Sequence, residues 1–458
     1  MLLSLLHLWI GCTSHSSSEP QKEVTLVVEE MEISAYLSPH LPNVINVDVN
    51  MANASGNVWV TAQTQDGERN TKTHNISGFG TIPILGIPPN SQVELQIFSN
   101  IDEEYIESTP FLMETENLIP QAGQMSLSIT QYSEIPDGYF MGSLFGEPEI
   151  LVIFDTQGEF LWATRQYDDE NGGIDSTLSV DNQSILFNRF AKDNTIDNGA
   201  IIRIGFDGSP IETITTPMGH HLFTELPDGT ITYIALDIRE TEAYGSVCGD
   251  QIIEVTPDGE EHVVFSTWDT VTLYESSSFY SPFYTQCHDW THGNGIVYNE
   301  TQDTYLFSMA GTNLIYEIDR MGNVLHRFGG LNDYDADYTF EPPDSVFAYP
   351  HGANWSNEGE LMLLSTKDLH SRFISFEVDR QNQKLRKRWH YGAGYNYNVQ
   401  YLGEIKEIDQ ANRMINWGSL GHLQIISPTG NIKWEAHASL GHWFAQFEFI
   451  DTLPGMEE

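Results

Sequence analysis

The last three quarters of the chain repeat one pattern of apolar and polar positions six times. An apolar strand runs into a turn of Asp-x-x-Gly or Pro-Asp-Gly type and returns as a second apolar strand. The instances are LVIFDTQGEFLW, turning at Gly158, IIRIGFDGSPIETI at Gly208, and IIEVTPDGEEHVVF at Gly259. They continue with IYEIDRMGNVLHRF at Gly322, ISFEVDRQNQKLRK at Asn382 and LQIISPTGNIKWEA at Gly430. Turns that recur about every 50 to 60 residues have the period of propeller blades, longer than that of most solenoid repeats. Each unit also holds an earlier hairpin, clearest in HHLFTELPDGTITYIALD before the Gly259 hairpin. Two hairpins make one four-stranded sheet, and six sheets set radially make a six-bladed β-propeller. The start of every innermost strand then faces one central channel.

Residues 23–119 lack this repeat. They alternate as short strands, VTLVVEEMEISAYL, VINVDVNMA, NVWVTAQTQ and GIPPNSQVELQIFS, the last with the Ile-x-Pro turn of a fibronectin III-like sandwich. A seven-stranded β-sandwich fits the length. The expected fold is therefore all-β: a sandwich over 23–119, a linker at NLIPQAGQ (117–124), and the propeller over 125–458. Blades are expected at about 125–168, 169–216, 217–268, 284–330, 346–392 and 398–440, in the four-stranded pattern of that fold. WFAQFEFIDTLP remains as a closing strand for the first or last blade.

Residues 1–12, MLLSLLHLWIGC, read as the end of an export signal, apolar but too short to span a bilayer. Ile10-Gly11-Cys12 is the pattern after which Cys12 would be lipidated, and the Ser-rich stretch 13–20 would be its tether. The segment 1–22 is thus expected to be signal and tether, with localisation in the periplasm or at the cell surface. A lipid on Cys12 would be the chain's contact with membrane. An ordinary secretory signal or a cytosolic start remains the other reading. Of the 458 residues, 65 are acidic and 20 basic, a formal net charge of −45. That balance argues against nucleic acid and anionic membrane surfaces as partners. It fits a saline or extracellular setting, and the acidic loop 332–344 offers oxygen ligands of the kind calcium takes. The remaining cysteines, Cys248 and Cys287, point to one disulfide in an exported protein. Two unpaired buried thiols are the alternative.

Aligning the blades gives a candidate site. His221 lies eight residues before Gly229, and His351 eight residues before Gly359. His292, in HDWTHGNGIVYN, precedes a slightly longer hairpin. The three sit near the start of the innermost strand on consecutive blades. In the other blades the same offset falls near Thr130, Asp175 and Glu404. One histidine there would be an ordinary structural residue; three in register converge on the channel. Neutral imidazoles together suit either a metal or nucleophilic and acid–base work on an anion. His220 should point away from the channel if its strand is regular. His288, His422 and His442 have no matched positions and read as structure.

The stretch DWTHGNGIVYNETQDTYLFSMAGTNLIYEIDRMGNVLHRFGG resembles the arylsulfate sulfotransferase family. It has Asp-Trp-x-His-x-Asn, an apolar strand, a Tyr-x-Ile-Asp-x-x-Gly hairpin and a closing Gly-Gly. FAYPHGANWSNEGELMLLS with SRFISFEVD resembles that family's next blade, and HHLFTELPDG an earlier one. The resemblance covers roughly 125–440, and the family also has a β-sandwich before a six-bladed propeller. It implies nucleotide-independent transfer of a sulfuryl group from an aryl sulfate to a phenol, ping-pong through a sulfated histidine and without cofactor or metal. By motif, His351 matches the nucleophile, while His292 and His221 match histidines that bind sulfuryl oxygens and assist proton transfer. His220, Asn294, Lys367 and Arg372 join them as candidate substrate-binding residues. The family's arginine after Asp-Trp-x-His-x-Asn is Ala310 here, and its Asp after the nucleophile is Gly352. Two other readings stay open: a non-catalytic propeller binding a sulfated or aromatic ligand, and a three-histidine metal-dependent enzyme.

Overall fold

A computed structural model describes residues 22–28, 31–101, 103–147, 149–165, 171–191, 199–273, 284, 286–329, 336–392, 397–439 and 441–457. The export segment with Cys12, the tether and the start of the acidic loop lie outside the described residues. The chain divides into two compact units. The first contains Pro42–Asn117 with Met1–Ser38 and Met456–Glu458; the second contains Leu118–Gly455 with Pro39–Leu41.

Among the described residues the first unit has eight strands rather than seven, in one sheet built around a long strand, Ile45–Thr64. Ile45–Asn50 pairs with Met31–Leu37 on one side and His74–Ile84 on the other. After a register break between Asn50 and Ser55, the same strand runs on beside Gln92–Ile101 and Gly67–Asn70. The period-two alternation shows in the burial: Ile33, Val47, Val49, Val58, Val60, Val93, Leu95 and Ile97 are fully enclosed.

In the second unit, six sheets form the blades. Five hairpin turns have their glycine in the left-handed region, with φ of +84° at Gly158, +80° at Gly208, +86° at Gly259, +83° at Gly322 and +88° at Gly430. In the fifth blade, where the turn lacks glycine, Gln383 takes that conformation at φ +51°, and Asp379 Oδ1 accepts the Asn382 N–H. Adjacent blades are braced by a recurring pair. The arginine after the hairpin aspartate, Arg320 or Arg380, reaches a buried glutamate of the preceding blade with both guanidinium arms, the strong bidentate form of this contact. Arg320 donates to Glu254 at 2.9 Å and 2.8 Å. Arg380 donates to Glu317 at 2.7 Å and 3.2 Å.

The ring closes at two strands, and this changes the expected first blade. Its innermost strand is C-terminal, Trp443–Ile450, paired with Tyr139–Phe145 and followed by Ile150–Asp155 and Phe160–Thr164. Leu127–Gln131 instead adds to the outer edge of the sixth blade, beside Ile432–Ala438. Thr130 is therefore on the rim, and the residues matching its expected position belong to Trp443–Ile450. Bringing both ends of this unit into the ring gives each end strand a hydrogen-bonded neighbour that local sequence does not name.

Candidate active site

Each of the three histidines stands at a local irregularity where an innermost strand begins. The strand Gly219–Glu225 bulges between His220 and Phe223, with His221 at φ +54°. His292 has φ +46°, and the following strand shifts register between Gly293 and Gly295. In blade 5 the shift falls between His351 and Asn354, with Gly352 at φ +55°. A bulge leaves one residue out of the ladder and re-aims its side chain. Repeated on three neighbouring blades, it turns three imidazoles toward one another.

All three are buried, two of the rings touch, and the three act on one another electrostatically. His221 and His292 meet edge to face with centroids 5.0 Å apart. Burial holds His221 well below the usual histidine range, with further lowering by His292, His220 and His351. Burial, then His292, pushes His351 down to about 3. The His351 imidazole is thus neutral at ordinary pH with its lone pair available, and its Nδ1 is buried without a hydrogen-bond partner among the described residues. Asp289 Oδ2 lies 2.6 Å from His292 Nδ1, which sets that ring's orientation in the manner of a carboxylate–imidazole pair.

His220 does not point away. The bulge puts it on the same side as His221, with Nδ1 to Nδ1 at 2.8 Å and ring centroids 5.0 Å apart. Its Nε2 lies 3.1 Å from Asp250 Oδ1, an electrostatic contact rather than an aligned hydrogen bond. The other Asp250 oxygen accepts the Thr291 hydroxyl and the Gly293 N–H, the residues either side of His292. Asp250 thus ties the orientation of His220, and through it His221, to the turn that carries His292. Tyr284 packs against both His220 and His292, at 5.6 Å and 6.3 Å between ring centres.

The remaining sequence candidates fall in different places. Asn294 is buried and committed to the frame: Nδ2 donates to the Pro350 carbonyl at 2.9 Å and Oδ1 accepts from Ser308 at 2.6 Å. It anchors the residue before His351. Lys367 ends the second strand of blade 5, and exposed Arg372 lies on the third, where its charge acts on His390. Ala310 is fully buried and its N–H donates to the His292 carbonyl at 3.1 Å. Gly352 has no room for a side chain: a Cβ there would stand 2.6 Å from the Gly403 carbonyl oxygen. Cys248 and Cys287 form a disulfide with Cα atoms 5.6 Å apart.

The opposite wall of the channel, from blades 1, 2 and 6, carries carboxylates. Asp175 is pushed up to about 7 by burial, with Glu448 and Glu404 adding to the rise, and its Oδ2 accepts the Phe223 N–H. Burial works against the charge on Lys406, yet Glu404 and Glu448 outweigh it and hold its pKa above the usual value. Lys406 Nζ lies 3.0 Å from Glu404 Oε2 and donates to the Phe447 carbonyl at 2.9 Å. Asp175 and Glu404 occupied the matched offset in sequence; Lys406, Asp250 and Tyr284 carried no signal there. Asp289 was visible as the first residue of the Asp-Trp-x-His motif.

His422 sits on the outer part of blade 6, bonded at Nε2 to Glu435 Oε2 and at Nδ1 to the Tyr397 hydroxyl, each 3.1 Å. Burial, then His437, pushes it down to about 4.

The family description of arylsulfotransferase (ASST) matches residues 130–441, more than half of the chain. The chain belongs to the arylsulfotransferase family. Membership implies the family's class of reaction, sulfuryl transfer between an aryl sulfate and a phenol, with small molecules of those two kinds as substrates. No curated protein matches the chain. Among solved structures it is similar to a protein of unknown function from Bacteroides caccae, at 15% identity over 69% of this chain and 99% of that one, TM-score 0.44. A putative 6-phosphogluconolactonase from Bacteroides fragilis shares 12% identity over 86% and 98%, TM-score 0.36. The periplasmic gluconolactonase of Pseudomonas aeruginosa shares 11% over 86% and 99%, TM-score 0.37. At these values no function passes from them to this chain.

Proposed function

We propose that this arylsulfotransferase works through a sulfohistidine on His351 and acts outside the cytoplasm. A His351 nitrogen lone pair attacks sulfur, the bond from sulfur to the aryl oxygen breaks, and protonated His292 gives its proton to that leaving oxygen. In the second half, His292 takes the proton of the acceptor phenol as its oxygen attacks sulfur and the nitrogen–sulfur bond breaks. His221 hydrogen-bonds the sulfuryl oxygens as charge develops on them. The observation that carries this reading is the convergence of three buried imidazoles from consecutive blades, one with an ionisable partner at Nδ1 and one depressed to about 3. Export rests on the apolar run ending Ile10-Gly11-Cys12 and on the Cys248–Cys287 bridge.

Ala310 favours a second reading, a propeller that binds a sulfated ligand without turning it over. The guanidinium found at the matching position in the family is missing, and full burial of Ala310 means an arginine there would overpack the blade. The test is turnover of a chromogenic aryl sulfate with phenol as acceptor, with mass spectrometry of the trapped enzyme. Wild type should turn over and carry sulfate on His351, and His351→Ala should do neither. Saturable binding of the aryl sulfate with no turnover and no sulfated histidine would replace the enzyme reading with the binding one.

A further inference from the structure

Outside the channel, blade 6 brings together a second set of ligand-type side chains. His422 opens the strand His422–Ile426, and Glu435 and His437 lie near the end of its neighbour Ile432–Ala438. His422 and His437 are direct cross-strand partners, so their rings share one face and stack with centroids 4.0 Å apart. Glu435 is on the same face as His437 because the two stand at alternate positions along a strand. One nitrogen from each imidazole and one Glu435 oxygen lie within 4.8 Å of one another. The closest pair, His422 Nε2 and Glu435 Oε2, is 3.1 Å apart. That is near the edge of a tetrahedron built on metal–ligand distances of about 2.0–2.2 Å.

We propose that His422, Glu435 and His437 bind a divalent transition-metal ion, zinc in first place, as a site separate from the sulfuryl-transfer centre. Two imidazoles and a carboxylate are a zinc donor set, with the fourth position left to water. The outer atoms of the buried ligands are already held, which is what a metal site requires of its surroundings. Tyr397 bonds His422 Nδ1, directing Nε2 inward, and the Tyr132 hydroxyl donates to Glu435 Oε1. Gln424 Nε2 donates to Glu435 Oε2 at 3.2 Å while its own oxygen accepts from Trp417 Nε1 and the Tyr391 hydroxyl. His437 is exposed, so its ring can turn to close the set and the ion has an entry path. The position has a structural consequence. Glu435 pairs with Thr130 and His437 with Ser128 on the added strand Leu127–Gln131, so a bound ion stiffens the seam where the ring closes.

The purified full chain is stripped with chelator, then titrated with Co²⁺ read by its tetrahedral d–d absorption and with Zn²⁺ in competition. Thermal unfolding is followed with and without Zn²⁺. Wild type and His351→Ala should both bind one ion at this site and melt higher with zinc. His437→Ala, a change at an exposed ring, should keep its circular dichroism, weaken binding by at least about 100-fold and lose the zinc-dependent rise in Tm. Tyr397→Phe should weaken binding by about tenfold, the size of a lost outer-shell partner. Absence of binding to wild type, equal binding by His437→Ala, or loss of binding in His351→Ala with retention in His437→Ala would each overturn the proposal. The last outcome would assign the ion to the channel histidines.

Discussion

Removing the Cys248–Cys287 disulfide tests how the site is held, because the bridge adjoins its framework. Cys287 precedes the short strand His288–Asp289, which pairs in parallel with Val247 and Cys248. Trp290 N–H donates to the Cys248 carbonyl at 3.1 Å, and Asp289 holds His292 Nδ1. The bridge closes a sequence separation of 39 residues. Loop-closure entropy for that length stabilises the folded state by about 4 kcal/mol through restriction of the unfolded chain. For a unit of this size, that loss should lower Tm by roughly 5–10 °C. The double variant Cys248→Ala/Cys287→Ala avoids leaving a lone thiol, and alanine leaves no polar group at buried Cys248. Thermal unfolding and aryl-sulfate turnover, measured well below both melting points, should fall together, since a loosened Asp289 no longer fixes His292. A Tm change under about 2 °C would refute the loop-closure reasoning. A full Tm loss with unchanged kcat would show that strand pairing alone holds Asp289.

Acid should destabilise the fold through its buried histidines. Burial holds His221, His351 and His422 below their unfolded value of 6.5, so the unfolded chain takes up these protons first as pH falls. Stability present above the unfolded histidine value should decline as pH falls below it, by up to about 1.4 kcal/mol per pH unit for each of His351 and His422 toward about pH 4 and in the same direction for His221, read by denaturant titration at stepped pH. His220→Ala removes the ring that orients His221 and should lower kcat by at least about tenfold, part of the usual acid–base contribution, with a smaller change in KM. An unaltered kcat would show that His221 is positioned without it. Asn294→Ala frees the Pro350 carbonyl and should likewise lower kcat more than affinity for the aryl sulfate, checked by steady-state kinetics.

What the sequence determined was local and periodic. The strands were legible because side chains alternate with period two, and the turns because five hairpins need a left-handed residue that glycine supplies without strain. Equal spacing from the inner-hairpin glycines Gly229 and Gly359 picked out His221 and His351, and His292 stood before a slightly longer hairpin on the blade between them, since a repeat places matched positions at similar heights around a channel. Asp289 was legible as part of the motif that contains its partner. Tertiary structure decided everything that depends on pairing across long separations. Trp443–Ile450 joins Tyr139–Phe145 from the opposite end of the propeller sequence, and no local pattern names that partner over another exposed edge. The strand Ile45–Thr64 serves both ends of the first unit because a register break lets one strand pair with several neighbours. His220 reverses its expected direction because a bulge shifts alternation by one residue, a backbone event with no side-chain signature. Asp250, and the His422–Glu435–His437 set, owe their roles to neighbours brought together across strands and blades. Alternation and turn chemistry write the blades; closure of the ring and the bulges at its centre decide which side chains meet.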